Sequence, residues 1–206
     1  MDNEMKGSRG RKRRTGLAFL KGFLRHPDLV GSIVPSSKFL EKRIVNAALT
    51  SKARLVVELG PGTGGTTRAI LNSLPADGKL LAIEINPQFV ELLKDVDDPR
   101  LVVHLGSAEN INEVLKSFNG LRPDAVVSGI PFSTMPPARG ERILDAVWSC
   151  LAPGGRFVAY QFRRRVAELG KGSLGRPETE VEFLNVPPVR LFCWRKTLTS
   201  KKASGD

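Results

Sequence analysis

Short apolar runs alternate with stretches of helical period along this chain, and the alternation is regular from about residue 54 onward. Runs near 54–58, 80–84, 101–105, 124–128 and 156–162 read as strands, and segments near 65–74, 88–94, 110–117 and 138–151 read as helices. Asp77-Gly78 and Pro153-Gly154-Gly155 supply turns between them. Two more runs, near 180–185 and 189–195, flank Pro187-Pro188 and read as a closing antiparallel pair, which brings the strands to seven. The pattern predicts an α/β fold: a mostly parallel sheet with helices on both faces. Residues 163–179, between the fifth and sixth strands, are basic and glycine-rich and read as a mobile loop.

The chain before residue 51 has a different texture. Residues 1–14 are polar and basic (Lys6, Arg9, Arg11, Lys12, Arg13, Arg14) and have the composition of a disordered tail. Residues 15–25 predict a short helix with Leu17, Leu20, Phe23 and Leu24 on one side and Lys21 and Arg25 away from it. Ser36 or Ser37 caps a second helix running to about Leu49, with Leu40, Ile44, Val45 and Ala48 inward. The expected organisation is a tail over 1–14, an N-terminal helical extension over 15–50, one domain over 51–196 and a polar tail over 197–206. There are no internal repeats.

Net charge adds to this picture. At +11, with a sequence pI of about 10.1, the 206-residue chain favours anionic partners: nucleic acid, an acidic membrane surface, or both. No apolar run approaches the ~20 residues of a membrane span, and the N-terminal apolar stretch is too broken by Lys21 and Arg25 for a signal-peptide core. Cys150 and Cys193 lack metal-ligand and redox-motif spacing and read as small hydrophobes in a reduced compartment. The expected location is the cytoplasm or the inner membrane surface. No cluster of His, Cys, Asp or Glu has metal-site spacing, so no metal is expected.

The chemistry concentrates at strand ends. Val56-Val57-Glu58-Leu59-Gly60-Pro61-Gly62-Thr63-Gly64 is an apolar run that ends in a carboxylate and passes into a glycine turn. Twenty residues after Gly64, the run Leu81-Ala82-Ile83 ends in Glu84. An adenosine-containing cofactor at the carboxyl ends of parallel strands needs this layout. Glycines admit the backbone to close contact, and the second carboxylate can bridge ribose hydroxyls. For Glu58 the plainer alternative is a cap on the turn itself. Gly106-Ser107-Ala108-Glu109 follows the third strand, where Glu109 could equally serve a helix N-terminus. The fourth strand ends in Ser128-Gly129-Ile130-Pro131-Phe132, and Tyr160, the only tyrosine, lies in the fifth as either a site residue or a core residue.

These motifs, with Phe23-Leu24-Arg25-His26-Pro27 through Pro35-Ser36-Ser37 before them and Asn185-Val186-Pro187-Pro188 after, resemble the small bacterial phospholipid N-methyltransferases. The resemblance runs from about residue 17 to 196. It implies a Rossmann-like methyltransferase sheet, S-adenosylmethionine (AdoMet) as cofactor, and methylation of phosphatidylethanolamine towards phosphatidylcholine. It also implies a cofactor set of Ser36, Glu58, Gly60, Gly62, Gly64, Glu84, Ile85, Ala108, Glu109 and Ser128. Glu58 then serves the methionine end and Glu84 the ribose. Ser128, the Gly129 carbonyl and Tyr160 would orient the acceptor amine, and Phe132 would stabilise the methylammonium by a cation–π contact. Arg163, Arg164 and Arg165 read either as ligands for lipid phosphate or as a solvated charge run. The N-terminal helix (Leu17, Leu20, Lys21, Phe23, Leu24) would lie in an anionic membrane surface on the cytoplasmic side. The chain also resembles the rRNA adenine N6-dimethyltransferases in its Glu-x-Gly-x-Gly-x-Gly turn. It departs from them in having Ser128-Gly129 where they have Asn-x, and in the short polar tail where they have a helical RNA-binding domain. The charge keeps RNA open as a partner.

Overall fold

Strands β1 (Leu55–Leu59) and β4 (Ala125–Ser128) are buried along their whole length, and this explains why they read as unbroken apolar runs: both faces of the sheet are covered. The computed structural model describes residues 37–197. The expected tail over 1–14, the helix at 15–25 with Leu17, Leu20, Lys21, Phe23 and Leu24, the candidate Ser36, and residues 198–206 lie outside the described residues.

With β2 (Lys79–Glu84), β3 (Leu101–Leu105), β5 (Arg156–Gln161), β6 (Glu178–Glu182) and β7 (Val189–Arg195), the seven strands form one sheet in the order β3-β2-β1-β4-β5-β7-β6. β1 to β5 are parallel. β7 runs antiparallel between β5 and β6, as the two prolines suggested for the closing pair.

Period-two alternation in β1 divides the core. Leu55, Val57 and Leu59 join one apolar cluster with Ile143, Leu144 and Val147 of α5 (Pro137–Cys150). Val56 joins the other, with Leu40, Ile44 and Ala48 of α1 (Lys38–Ala48) and Ile70 and Leu71 of α2 (Gly65–Ser73). Glu58 therefore belongs to the α1–α2 face. The remaining helices are α3 (Pro87–Lys94), α4 (Ile111–Leu115) and α6 (Arg165–Leu169). α3 starts with Pro87 at its first position and Asn86 as cap, whose Oδ1 accepts from the Gln88 N–H at 2.9 Å.

Three expectations change. α1, read as part of an extension ending at residue 50, supplies core side chains, so the domain boundary at 51 falls inside the fold. The segment 163–179 is not a free loop. It holds α6, it buries Val166 and Leu174 in the core, and its Gly175 carbonyl accepts from the Trp194 indole N–H at 3.1 Å. β6 ends at Glu182, so Phe183 to Asn185 lie in the loop after it. Both cysteines are free, Cys150 buried and Cys193 partly so.

Ile44→Ala tests the membership of α1. The fully buried side chain predicts a loss of about 2–5 kcal/mol in urea unfolding with a single transition. A loss under about 0.5 kcal/mol, the range of surface changes, would detach α1 from the core.

Candidate active site

The strand order reverses at β1, with β2 on one side and β4 on the other, and such sheets bind ligands in the crevice outside the carboxyl ends at that reversal. Backbone bonds continue past the strand ends and fix the crest. The Gly60 N–H donates to the Ile83 carbonyl (3.0 Å), Gly129 N–H to the Leu59 carbonyl (2.9 Å) and Gly106 N–H to the Glu84 carbonyl (2.9 Å). Gly60 and Gly62 have φ of +69° and +56°, a region that side-chain-bearing residues rarely enter. Gly64, also at positive φ, starts α2.

Glu84 holds this turn. Its Oε2 accepts from the Gly62 N–H at 3.1 Å and its Oε1 from the Asn86 N–H at 2.8 Å. The turn-capping role considered for Glu58 thus falls to Glu84, at the site predicted to meet the ribose.

Glu58 has a different environment. It is fully buried, and its Oε2 accepts from the Thr67 hydroxyl on α2 at 2.6 Å. Its Oε1 is the one buried side-chain oxygen or nitrogen among the described residues that has no partner. Burial pushes the carboxyl up to about 8. The Thr67 hydrogen bond acts the other way, and nearby Glu84 adds to the rise. Leaving such an oxygen unmatched costs on the order of 1–3 kcal/mol. A ligand with an ammonium group removes that cost, and the methionine end of AdoMet carries one. The orphaned oxygen, the glycine turn and the two carboxyl groups fit this cofactor.

The loop after β4 meets the same crest. A Cβ on Gly129 would lie 2.5 Å from the Tyr160 Oη and 3.0 Å from the Gly60 carbonyl oxygen, so three strand ends converge where only glycine fits. The Thr66 hydroxyl donates to Tyr160 Oη at 3.3 Å. Burial first, and then the Glu58 carboxyl, raise the Tyr160 phenol above its ordinary value, against the Thr66 bond. The structure thus brings together Glu58, Gly60, Gly62, Glu84, Gly129 and Tyr160.

Other candidates are placed differently. Ser128 is fully buried and its Oγ accepts from the Ile130 N–H at 3.3 Å, so the hydroxyl shapes its own turn. Phe132 is a correction: its ring is fully buried in the core cluster with Ile143 and Leu144, in a 3-10 turn, where it cannot stack on an acceptor cation. Glu109 is another. Arg139 and Arg142 of α5 bind its carboxylate at 2.7 and 3.0 Å, and those guanidinium bonds, Arg139 first, hold it below the usual carboxylate range. Glu109 ties the turn after β3 to α5 and is not an open adenine contact. Ala108 beside it is buried, and Ile85 is exposed just past Glu84. Arg163 and Arg164 are exposed, and Arg165 starts α6 with Glu168 as partner at 3.4 Å. Among the described residues no group of His, Cys, Asp and Glu could hold a metal.

Sequence reasoning missed Thr67 and Gln161. Thr67 follows the glycine turn in the first helical turn. Gln161 is a buried amide at the end of β5 that donates to the Ile130 carbonyl and so fixes the loop after Ser128. A polar residue closing an apolar strand was the available signal in both Glu58 and Gln161.

Two expected outcomes follow from this geometry. In the free protein Glu58 titrates near 8 against an ordinary value of 4.5. Its contribution to stability is therefore full below about 4.5 and lost as pH rises to about 8. Glu58→Gln should flatten melting temperature across that window. Binding of S-adenosylhomocysteine at pH 7 should release close to one proton from the wild type and none from Glu58→Gln, by calorimetry in buffers of different ionisation enthalpy. Equal proton release by both would contradict the pairing. Gly129→Ala should lower stability in urea unfolding by about 1–3 kcal/mol, and Tyr160→Phe in the same chain should recover part of that loss by removing the nearer clash. Additive losses would place Tyr160 away from Gly129.

Known proteins share this arrangement. A family profile described as "Methyltransferase domain" matches residues 56–155. The ornithine lipid N-methyltransferase of Singulisphaera acidiphila is 31% identical over 141 residues, covering 68% of this chain and 73% of that protein. The ribosomal RNA small subunit methyltransferase A of Phenylobacterium zucineum is 32% identical over 100 residues, which is 48% of this chain and only 33% of that protein. The N-methyltransferase NodS from Bradyrhizobium japonicum WM9, solved in complex with S-adenosyl-l-homocysteine, has the same fold. Its TM-score is 0.61 at 15% identity, over 76% of this chain and 85% of that one. Sequence kinship over most of a relative's length, and a crest of glycines with a buried Glu58 carboxyl whose second oxygen is unpaired, lead to one family: the chain belongs to the class I AdoMet-dependent methyltransferases.

Proposed function

We propose that this methyltransferase acts on the amino headgroup of a membrane lipid: phosphatidylethanolamine and its methylated forms, towards phosphatidylcholine. The observation that carries the reading is kinship with a protein that is itself a lipid N-methyltransferase. The close approach of Gly129 to the Tyr160 hydroxyl and the Gly60 carbonyl supports it, since it sets polar groups beside the crest.

AdoMet supplies a methyl group already activated on a sulfonium. The chain's own task is placement of the acceptor nitrogen. The Gly129 carbonyl and the Tyr160 hydroxyl are the groups we assign to it. Burial keeps the Tyr160 phenol neutral, so it orients by hydrogen bonding and is not a phenolate base. Ser128 and Gln161 hold the loop from below, through the Ile130 N–H and carbonyl. Arg163 and Arg164, exposed just past β5, suit the lipid phosphate. We place the enzyme on the inner face of the cytoplasmic membrane, with the basic stretch and apolar positions of residues 6–25 as one anchor.

A second reading, methylation of an RNA base, is favoured by the similarity to a ribosomal RNA methyltransferase and by the charge of +11. Radiolabelled AdoMet offered to anionic liposomes containing phosphatidylethanolamine, and separately to small-subunit rRNA, distinguishes the two. Label in the lipid fraction is the expected result. Label in RNA alone would overturn the lipid reading.

A further inference from the structure

The loop joining β6 to β7 reverses the usual polarity of a protein surface. Asn185 is 2% exposed and Glu182 3%, whereas Phe183, Leu184 and Val186 are 73%, 62% and 86% exposed. The polar side chains are turned inward by specific bonds. Asn185 Oδ1 accepts from the Ser37 N–H at 2.9 Å, and its Nδ2 donates to the Pro187 carbonyl at 3.1 Å. Glu182 accepts from the Leu184 N–H at 2.7 Å and pairs with Arg43 at 2.7 Å. With the polar groups anchored inside, the apolar neighbours are held in solvent. Three large apolar side chains grouped and exposed within four residues are the kind of patch that marks an interaction site.

The topology places this loop at the crest. Glu182 pairs with Val189, and Arg190 with Gln161 at the carboxyl end of β5, one residue beyond Tyr160. The Ser37 bond sets the first turn of α1 beside the loop, and Phe39 there is 58% exposed. Lys38, Lys42, Arg163 and Arg164 are exposed at the same end.

We propose that Phe183, Leu184 and Val186 are a membrane-inserting loop that seats the crest of the sheet on an anionic phospholipid surface. Apolar tips with exposed cations at the same end of the sheet match the acyl and headgroup layers of such a surface. A second copy of the chain is a poorer occupant, because two molecules each of charge +11 repel. The inference rests on the lipid reading above, for which it supplies the surface that brings the site to its substrate.

The test uses the full chain and vesicles of phosphatidylcholine with phosphatidylglycerol, which contain no aminolipid. Docking is thereby measured apart from methyl transfer. In Val186→Trp, brominated acyl chains should quench the added fluorescence beyond any quenching of the parent's Trp148 and Trp194. The triple variant Phe183→Ser/Leu184→Ser/Val186→Ser should partition to vesicles about tenfold or more weakly, with unchanged melting temperature and S-adenosylhomocysteine affinity. A parent that ignores these vesicles overturns the proposal. So does a vesicle-bound Val186→Trp protein with no added quenching, or a triple variant that binds as the parent does and differs only in becoming monomeric. Docking without label transfer to phosphatidylethanolamine would leave the membrane loop standing and sink the lipid-substrate reading.

Discussion

The rest of the site is arranged around a carboxyl group that water cannot reach and that has one hydrogen bond where it could have several. Glu58 lies one residue before the end of the central strand β1, at the place where the strand order reverses, on the face covered by α1 and α2. Thr67 satisfies one oxygen and nothing satisfies the other. Without a ligand the group resolves this by keeping its proton. With a cation at Oε1 it can ionise, and the proton leaves. Binding energy and charge are then coupled at one atom, which gives the crest a reason to prefer an ammonium-bearing cofactor over a neutral nucleoside. Glu84, at the end of the neighbouring strand β2, does a separate job: it accepts from the Gly62 and Asn86 N–H groups and so holds the shape of the glycine turn.

Much of this was legible from the sequence because it follows from burial. An unbroken run such as Leu55-Val56-Val57 is what a strand covered on both faces requires, and a carboxylate ending that run has to have a partner. The glycine turn was legible because its conformation is set locally. What could not be read depends on distant pairs. That Gly129 must lack a side chain follows from the Tyr160 hydroxyl and the Gly60 carbonyl, more than thirty residues off in either direction. Glu109 looked available until α5 brought Arg139 and Arg142 to it. The resemblance gave Phe132 a cation–π role at the acceptor, yet its ring packs in the core with Ile143 and Leu144 of α5. α6 was hidden by a basic, glycine-rich composition in which Val166 and Leu174 are the only large apolar side chains buried. The end of β6 was misplaced for a related reason: Phe183 and Leu184 have strand-like character, and nothing in their identity says that they face solvent.

The same end of the sheet therefore holds two unlike surfaces. One is a recessed crest of glycines and carboxyl groups, and the other is a projecting loop with its polar groups turned in and its apolar groups turned out. An acceptor fixed in a bilayer needs both, since its nitrogen must reach the crest while its acyl chains stay in lipid. This pairing is the physical content of the lipid reading.

The central claim is that Glu58 is held protonated until a cofactor cation ionises it. Difference infrared spectroscopy at pH 7 observes the carboxyl group directly. The account predicts a protonated-carboxyl band in the free protein that disappears when S-adenosylhomocysteine is added and is missing from Glu58→Gln. A band that persists unchanged in the complex, or an ionised Glu58 in the free protein, would contradict it.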